Sequence, residues 1–134
     1  MDVNREFMVL DHIGIINGDE EGAQRFYGDI LGLEKIKESS VSTELARQLF
    51  FIDREIKMLV YGKETLVVEI FLIPVFSSPS LSVPHFCLRV PDLGALLDRA
   101  KNKGAKVISA ERAGRTVFFV EDFFGNRIEL KPQL

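Results

Sequence analysis

Apolar and polar residues follow the same order in two successive blocks of the chain. In the first block, the β-branched and aliphatic residues of 8–16 predict a strand that ends at Asn17-Gly18. The next segment is predicted as a helix that begins at the cap Asp19 and ends at Gly32, with apolar residues at helical spacing between them. Three further strands are predicted at residues 33–38, 55–61 and 65–73.

The second block repeats this order around a second helix. Asp92 is the predicted helix cap, and Gly104 ends the helix after an apolar stripe that includes Leu96, Leu97 and Ala100. Strands are predicted around His85 and at residues 105–110, 116–121 and 127–131. Segments 62–64 and 123–126 are predicted to be the turns between the last two strands of each block.

These patterns predict an α+β fold made of two tandem β-α-β-β-β modules. We expect one domain over residues 1–134, with modules at about 8–73 and 83–132. The segment 74–82 is rich in proline and serine and is predicted to be the linker. The first module is longer after its helix because residues 42–50 form an additional capped helical turn, which is either a packing segment or a lid over a site.

The chain has two histidines, and they occupy corresponding places in the two modules. His12 precedes the cap Asp19 by the same number of residues as His85 precedes Asp92. A lone histidine in a strand is usually a half-buried residue without a metal. Two of them at matching positions of a duplicated unit favour one metal site.

Each module also has a glutamate within a strand that is otherwise largely apolar. Glu69 shares a strand face with Val67 and Phe71, where an unpaired charge would cost several kcal/mol unless a metal or a proton compensated it. Glu129 lies between Arg127 and Lys131 on its face, and such an alternating run of charges is usually solvated surface.

Composition narrows the class of protein. The chain has 134 residues, 46% of them hydrophobic, and a net charge of −3 without a basic stripe, so a nucleic-acid partner is not expected. Cys87 is the single cysteine, which favours a reducing compartment. We expect no membrane partner and a cytoplasmic protein, because the sequence has neither a signal-peptide pattern nor an apolar run long enough to cross a bilayer.

The chain resembles the vicinal oxygen chelate superfamily, which includes glyoxalase I, methylmalonyl-CoA epimerase, fosfomycin resistance proteins, extradiol dioxygenases and bleomycin resistance proteins. The resemblance runs from Asp11 to Lys131, and it departs from the common pattern at Phe123, where proline is usual. The segments that carry it are Asp11-His12-Ile13-Gly14, residues 26–33, Val68-Glu69-Ile70-Phe71, Pro84-His85-Phe86 and residues 119–130.

The resemblance implies two curved half-barrels around a divalent metal, which is Zn, Ni, Co, Mn or Fe. The implied ligands are His12, Glu69, His85 and Glu129, and Glu129 is also the implied catalytic base. A glutamate at position 69 matches glyoxalase I, whereas the epimerase usually has glutamine there. We therefore expect a metal-dependent lyase or isomerase that acts on a small molecule such as a thioester or hemithioacetal, and we expect a homodimer.

Two other functions remain open at this point. One is an Fe(II) extradiol-type dioxygenase, and the other is a metal-free, ligand-sequestering protein of the bleomycin resistance type. The complete set of four ligands argues against the second, because such proteins typically lack these residues. Recognition of a glutathione or coenzyme A group would need cations at the pocket rim, and the sequence does not rank the candidates, which are Arg25, Arg47, Arg54, Arg89, Arg112 and Arg115.

Overall fold

The computed structural model describes residues 7–74 and 83–134. The first module contains β1 (Ile13–Asn17), α1 (Glu20–Ala23), a π-helical continuation of α1 (Gln24–Ile30), β2 (Glu34–Val41), α2 (Thr43–Phe50), β3 (Ile56–Lys63) and β4 (Leu66–Leu72). The second contains β5 (His85–Val90), α3 (Leu93–Asn102), β6 (Lys106–Arg112), β7 (Arg115–Glu121) and β8 (Arg127–Pro132).

Each module forms its own four-stranded sheet, and the two sheets have the same topology. The strand order is β1-β4-β3-β2 in the first sheet and β5-β8-β7-β6 in the second. The first strand of each module pairs in parallel with the last, and the other neighbours are antiparallel. The helix after the first strand supplies the long connection that a parallel pair requires. The predicted α+β fold of two β-α-β-β-β modules is therefore confirmed.

One face of each sheet packs against the helices. Tyr61 and Val68 of the first sheet, Ile128 of the second and Phe26 of the π-helical segment are fully buried in one hydrophobic cluster that also includes Leu97 of α3. Because side chains alternate across a strand, the opposite face of β4 carries Glu69, and the same alternation places Glu129 on the opposite face of β8. The helix-covered faces thus hold the core and leave the other faces for a site.

Three local predictions need correction. The first strand begins at Ile13 rather than near residue 8, because its parallel partner pairs only with Ile13–Asn17 and offers no ladder to the residues before them. The turn between β3 and β4 lies at residues 64–65 instead of 62–64, since Gly62 pairs with Val67 within the sheet. The first helix turns π-helical at Gln24–Ile30, which apolar spacing alone does not distinguish from an α-helix. Residues 75–82 of the predicted linker lie outside the described residues.

The additional helical segment of the first module is confirmed as α2. Its cap is Ser42, whose hydroxyl accepts a hydrogen bond from the Leu45 amide at 3.2 Å. Ala46 of this helix is fully buried with Val41 and Ile56 in a second, smaller hydrophobic cluster. In the second module the strands at the same place, β6 and β7, are joined directly by the two residues Ala113 and Gly114.

The two modules are held together by a buried carboxylate next to the last strand. Asp122 accepts hydrogen bonds from the amides of Phe124, Gly125 and Asn126, from the Asn126 side chain and from the Tyr27 hydroxyl at 2.8 Å. The Asn126 side chain also donates to the Ile16 carbonyl in β1. Burial, with the nearby Asp122 charge, raises the pKa of Tyr27 well above its usual value, so its hydroxyl keeps the proton that it donates.

Replacing Asp122 with alanine is expected to lower the free energy of unfolding by about 3 kcal/mol, because it leaves the buried Tyr27 hydroxyl and three turn amides without their acceptor. The measurement is urea denaturation. Asp92→Ala is the matched control, since this exposed helix cap accepts a hydrogen bond from Ala95 and its loss costs about 1 kcal/mol. Equal losses in the two variants would contradict the role given to Asp122.

No helix within residues 7–74 and 83–134 combines the length and the apolar character that crossing a membrane would require.

Candidate metal centre

The first predicted pair, His12 and Glu69, is brought together at the edge of the first sheet. His12 directly precedes β1, and Glu69 lies in β4, opposite Gly14 in the parallel register. His12 Nε2 is 3.2 Å from Glu69 Oε1. On its other side, His12 Nδ1 is 2.8 Å from Asp11 Oδ2, so the imidazole is held between two carboxylates.

The second predicted pair repeats this geometry in the second sheet. His85 begins β5, and Glu129 lies in β8 opposite Cys87. His85 Nε2 is 3.5 Å from Glu129 Oε1, and His85 Nδ1 is 2.7 Å from the Val83 carbonyl oxygen. In both modules the histidine therefore stands two residues before the residue that faces the glutamate, as the duplication predicts.

The partners of the two Nδ1 atoms fix which nitrogen is available to a metal. A carbonyl oxygen only accepts hydrogen bonds, so His85 Nδ1 must carry the proton, and the neutral ring then has its lone pair on Nε2. The Asp11 carboxylate has the same effect on His12. In each module this lone pair faces a glutamate oxygen, and two electron-rich atoms at this distance need a cation or a proton between or beside them.

The spacing within each pair fits two ligands of one metal ion. Bonds of about 2.1 Å place two donor atoms about 3.0 Å apart at a right angle and about 3.4 Å apart at a tetrahedral angle. The separations of 3.2 Å and 3.5 Å from Nε2 to Oε1 are close to these values. The side chains are also accessible, with exposed fractions of 40% for His12 and 36% for His85.

Proton binding is favoured at His12. The hydrogen bond to Asp11 raises the pKa of His12, and the negative charges of Glu69 and Asp11 raise it further, whereas partial burial opposes them. The two carboxylates thus stabilise positive charge at this imidazole, which is the charge that a bound cation would supply.

The four predicted ligands do not form one cluster within a single chain. Across the parts of the chain that the structure describes, no group of three or more His, Cys, Asp or Glu side chains has a geometry that could hold a metal ion. The chain instead presents two separate His–Glu pairs, one on each sheet.

A largely apolar cavity of about 1180 Å³ extends from β1 to β5 and reaches His85 of the second pair. His85 lies in its wall, together with Asn126 and Arg127, and helix α2 contributes Phe50. The Phe50 ring packs edge-on against Phe71 with ring centroids 5.3 Å apart, and Phe71 shares a strand face with Glu69. Helix α2 therefore packs against the first sheet and also contributes to the cavity wall. The other lining residues are Ile13, Gly14, Ile15, Ile16, Leu49, Phe51, Ile52, Phe71, Ile73, Pro84, Phe86 and Phe124.

Sequence reasoning missed the apolar wall that α2 builds. A signal for it was present, because 49–52 reads Leu-Phe-Phe-Ile at the end of the helix, and Leu49, Phe50 and Phe51 are all exposed large apolar side chains. Exposed apolar residues that lie next to one another commonly mark a binding surface.

Residues 9–130 match the family model of the Glyoxalase/Bleomycin resistance protein/Dioxygenase superfamily. The chain belongs to this superfamily. The match covers both His–Glu pairs. It confirms the family resemblance that the histidine, glutamate and turn motifs indicated. A comparison with curated proteins gives no significant match.

Solved structures of the superfamily have the same fold. A glyoxalase family protein from Enterococcus faecalis is 20% identical with a TM-score of 0.70, over 93% of this chain and 98% of that one. The trypanothione-dependent glyoxalase I of Leishmania major is also 20% identical with a TM-score of 0.70, over 94% and 87%. The fosfomycin resistance protein FosX of Mesorhizobium loti is 15% identical with a TM-score of 0.69, over 96% and 94%. These similarities extend over nearly the full length of the chain and concern the fold alone.

Proposed function

We propose that this protein is a divalent-metal-dependent lyase or isomerase of the glyoxalase I type. The observation that carries the proposal is the repeated His–Glu pair, in which the other histidine nitrogen is held by Asp11 or by the Val83 carbonyl. Metal-binding histidines usually donate their other ring N–H to a carboxylate or carbonyl oxygen in this way. A histidine and a carboxylate from each module give an N/O ligand set that suits Zn, Ni, Co, Mn or Fe(II).

We further propose that the complete site forms between two chains of a homodimer. His12 and Glu69 of one chain would face His85 and Glu129 of the other, and a symmetric dimer would contain two such sites. Two observations favour this arrangement: each pair has the spacing of half a site, and the two pairs of one chain stay apart. The exposed apolar residues Phe7, Leu10 and Phe51 offer further surface that a second chain can cover.

The proposed reaction is proton transfer at the carbon next to a substrate carbonyl. When bound, the metal supplies Lewis-acid polarisation of that carbonyl. His12, Glu69, His85 and Glu129 would hold the ion, and the Glu129 carboxylate would also take up the proton and return it to the product. Glu129 suits this role because only about a fifth of its side chain is exposed, at 19%, so it is sheltered yet reachable.

The larger cavity, which His85 lines, indicates the size of the substrate. Its wall is mostly aliphatic and aromatic, and its polar contributions come from His85, Asn126 and Arg127. A volume of about 1180 Å³ exceeds what a small two- or three-carbon substrate needs. We therefore propose a substrate in which the reacting carbonyl is joined to a larger group, such as a hemithioacetal or an acyl thioester.

The test is a screen for carbon-acid exchange with the metal-loaded protein. α-Ketoaldehyde hemithioacetals and 2-methyl acyl thioesters would be incubated in D₂O with Ni, Co, Zn or Mn, and deuterium incorporation would be followed by NMR. The proposal expects exchange with at least one pairing of metal and substrate, and no exchange after chelation. Oxygen uptake with a catechol and Fe(II), without exchange in any pairing, would favour the dioxygenase and contradict the proposal.

A further inference from the structure

A second cavity, of about 790 Å³, lies at the end of the second sheet and is lined by four cationic side chains. These are Arg89 of β5, Arg112 and Arg115 of the β6–β7 hairpin, and Lys131 of β8. Glu129 is the one acidic residue in the lining. The chain as a whole has a net charge of −3, so this concentration of positive charge is local.

The hairpin holds two of these cations directly opposite each other. Arg112 ends β6 and pairs with Arg115 at the start of β7. The two turn residues between them, Ala113 and Gly114, have φ angles of 53° and 77°, as a tight two-residue hairpin turn requires. Because directly paired residues of an antiparallel ribbon project from the same face, the two arginines share one face of the hairpin, and both line the cavity.

Like charges directly opposite each other on a hairpin are unfavourable unless another group compensates them. Among residues 7–74 and 83–134, neither Arg112 nor Arg115 forms an ion pair with a carboxylate. The nearest carboxylate along β6, Glu111, pairs with Thr116 of β7 and accepts a hydrogen bond from its hydroxyl. This pair lies on the opposite face of the hairpin from the two arginines. Both exposed guanidinium groups are thus left without a carboxylate partner among the described residues and are available to an anion.

The remaining cations extend the positive rim toward the proposed metal centre. Arg89 and Lys131 are partners in the parallel β5–β8 register, two residues along each strand from the pair formed by Cys87 and Glu129. Lys131 Nζ is 4.0 Å from Glu129 Oε2, and one Arg89 amino group donates to the Pro132 carbonyl. The cationic residues and the proposed base therefore line the same cavity.

We propose that this cavity binds the anionic end of the substrate, a carboxylate or phosphate group, through Arg112 and Arg115 with support from Arg89 and Lys131. Guanidinium groups bind either anion through paired hydrogen bonds. The link to catalysis rests on the proposed function of Glu129, whereas the anion site itself does not. The substrate would then extend from Glu129 to the β6–β7 hairpin, so the reacting carbon and the anionic group belong to separate ends of one molecule.

The test uses the metal-free protein, so its result does not depend on turnover or on metal binding. Inorganic pyrophosphate and citrate would each be titrated into the wild-type protein at low ionic strength, with binding followed by amide chemical shifts. We expect saturable shifts in the β6–β7 hairpin and around Lys131 with one or both anions. The anion that binds more tightly identifies the phosphate or the carboxylate class.

The double variant Arg112→Gln/Arg115→Gln is expected to lose roughly tenfold or more in affinity for the preferred anion. Arg112→Lys/Arg115→Lys should retain most of it because the charge remains. Arg54→Gln is the matched control, since Arg54 is exposed and lines neither cavity, and it should change affinity less than twofold.

Absence of saturable shifts in the wild-type protein would overturn the anion site, and so would an equal loss of affinity in the double variant and in Arg54→Gln. The proposed function fails separately, when no divalent metal binds and no carbon-acid exchange occurs. A protein that binds pyrophosphate through Arg112 and Arg115 but binds no metal would keep this inference and exclude the proposed chemistry.

Discussion

Replacing Glu129 with glutamine is expected to lower turnover roughly 100-fold or more while leaving the affinity for substrate largely intact. A neutral amide oxygen can still occupy the ligand position beside His85, but it cannot take up the substrate proton. The measurement is kcat and KM for the substrate that the exchange screen identifies, together with the rate of deuterium incorporation at its carbon acid. The loss should appear in kcat and in exchange rather than in KM.

Glu69→Gln is the matched control for this prediction, because Glu69 occupies the corresponding place in the other module and is assigned coordination alone. We expect a loss of roughly tenfold or less. Equal losses of turnover in the two glutamine variants would contradict the assignment of the base to Glu129. A larger loss in Glu69→Gln would transfer that role to the first module.

Alanine at His12 or at His85 is expected to lower the affinity for Zn²⁺ or Ni²⁺ by more than roughly 100-fold, since even changes to residues that only support a metal ligand cost 10- to 100-fold. Both variants should behave alike, because the two histidines have the same relation to their glutamates. Metal content would be measured by elemental analysis after chelation, reloading and removal of free ion.

Two further variants test whether the loss of metal affinity is specific to the ligands or extends to neighbouring residues. Asp11→Asn should lose roughly tenfold in metal affinity, because Asp11 orients His12 without facing the metal. Cys87→Ala should keep wild-type affinity although Cys87 lies opposite Glu129 in the sheet. Wild-type metal content in both histidine variants would show that these residues are not ligands.

The fold could be predicted because local patterns determine most of it. Asp19 and Asp92 cap helices with their own side chains, and runs of aliphatic, β-branched and aromatic residues mark strands such as β4 and β7. The local pattern does not specify which residue of a neighbouring strand each backbone N–H and C=O group pairs with. The start of β1 depends on how far β4 extends beside it, and the position of the β3–β4 turn depends on the pairing of Gly62, so both were displaced in the prediction.

The two His–Glu pairs of the candidate site could be predicted from sequence, but their arrangement relative to each other could not. The duplicated order places each histidine beside its glutamate, since a parallel pair of first and last strands recurs in both modules. Whether the two pairs meet in one chain depends on how whole modules pack, and no local spacing specifies that. The cations at Arg112 and Arg115 could not be ranked from sequence, because their common rim depends on the two-residue turn between them.

Mixing two inactive variants tests whether the metal site is built from one His–Glu pair of each of two chains. One variant carries His12→Ala and Glu69→Ala, the other His85→Ala and Glu129→Ala, and neither is expected to bind metal. After mixing at equal amounts, partial unfolding and refolding, random pairing would make half of the dimers mixed, each with one intact site, and we expect about one quarter of the wild-type metal content. Sedimentation should show dimers before and after mixing. Metal content that stays at background in a sample shown to contain mixed dimers would contradict a site shared between chains.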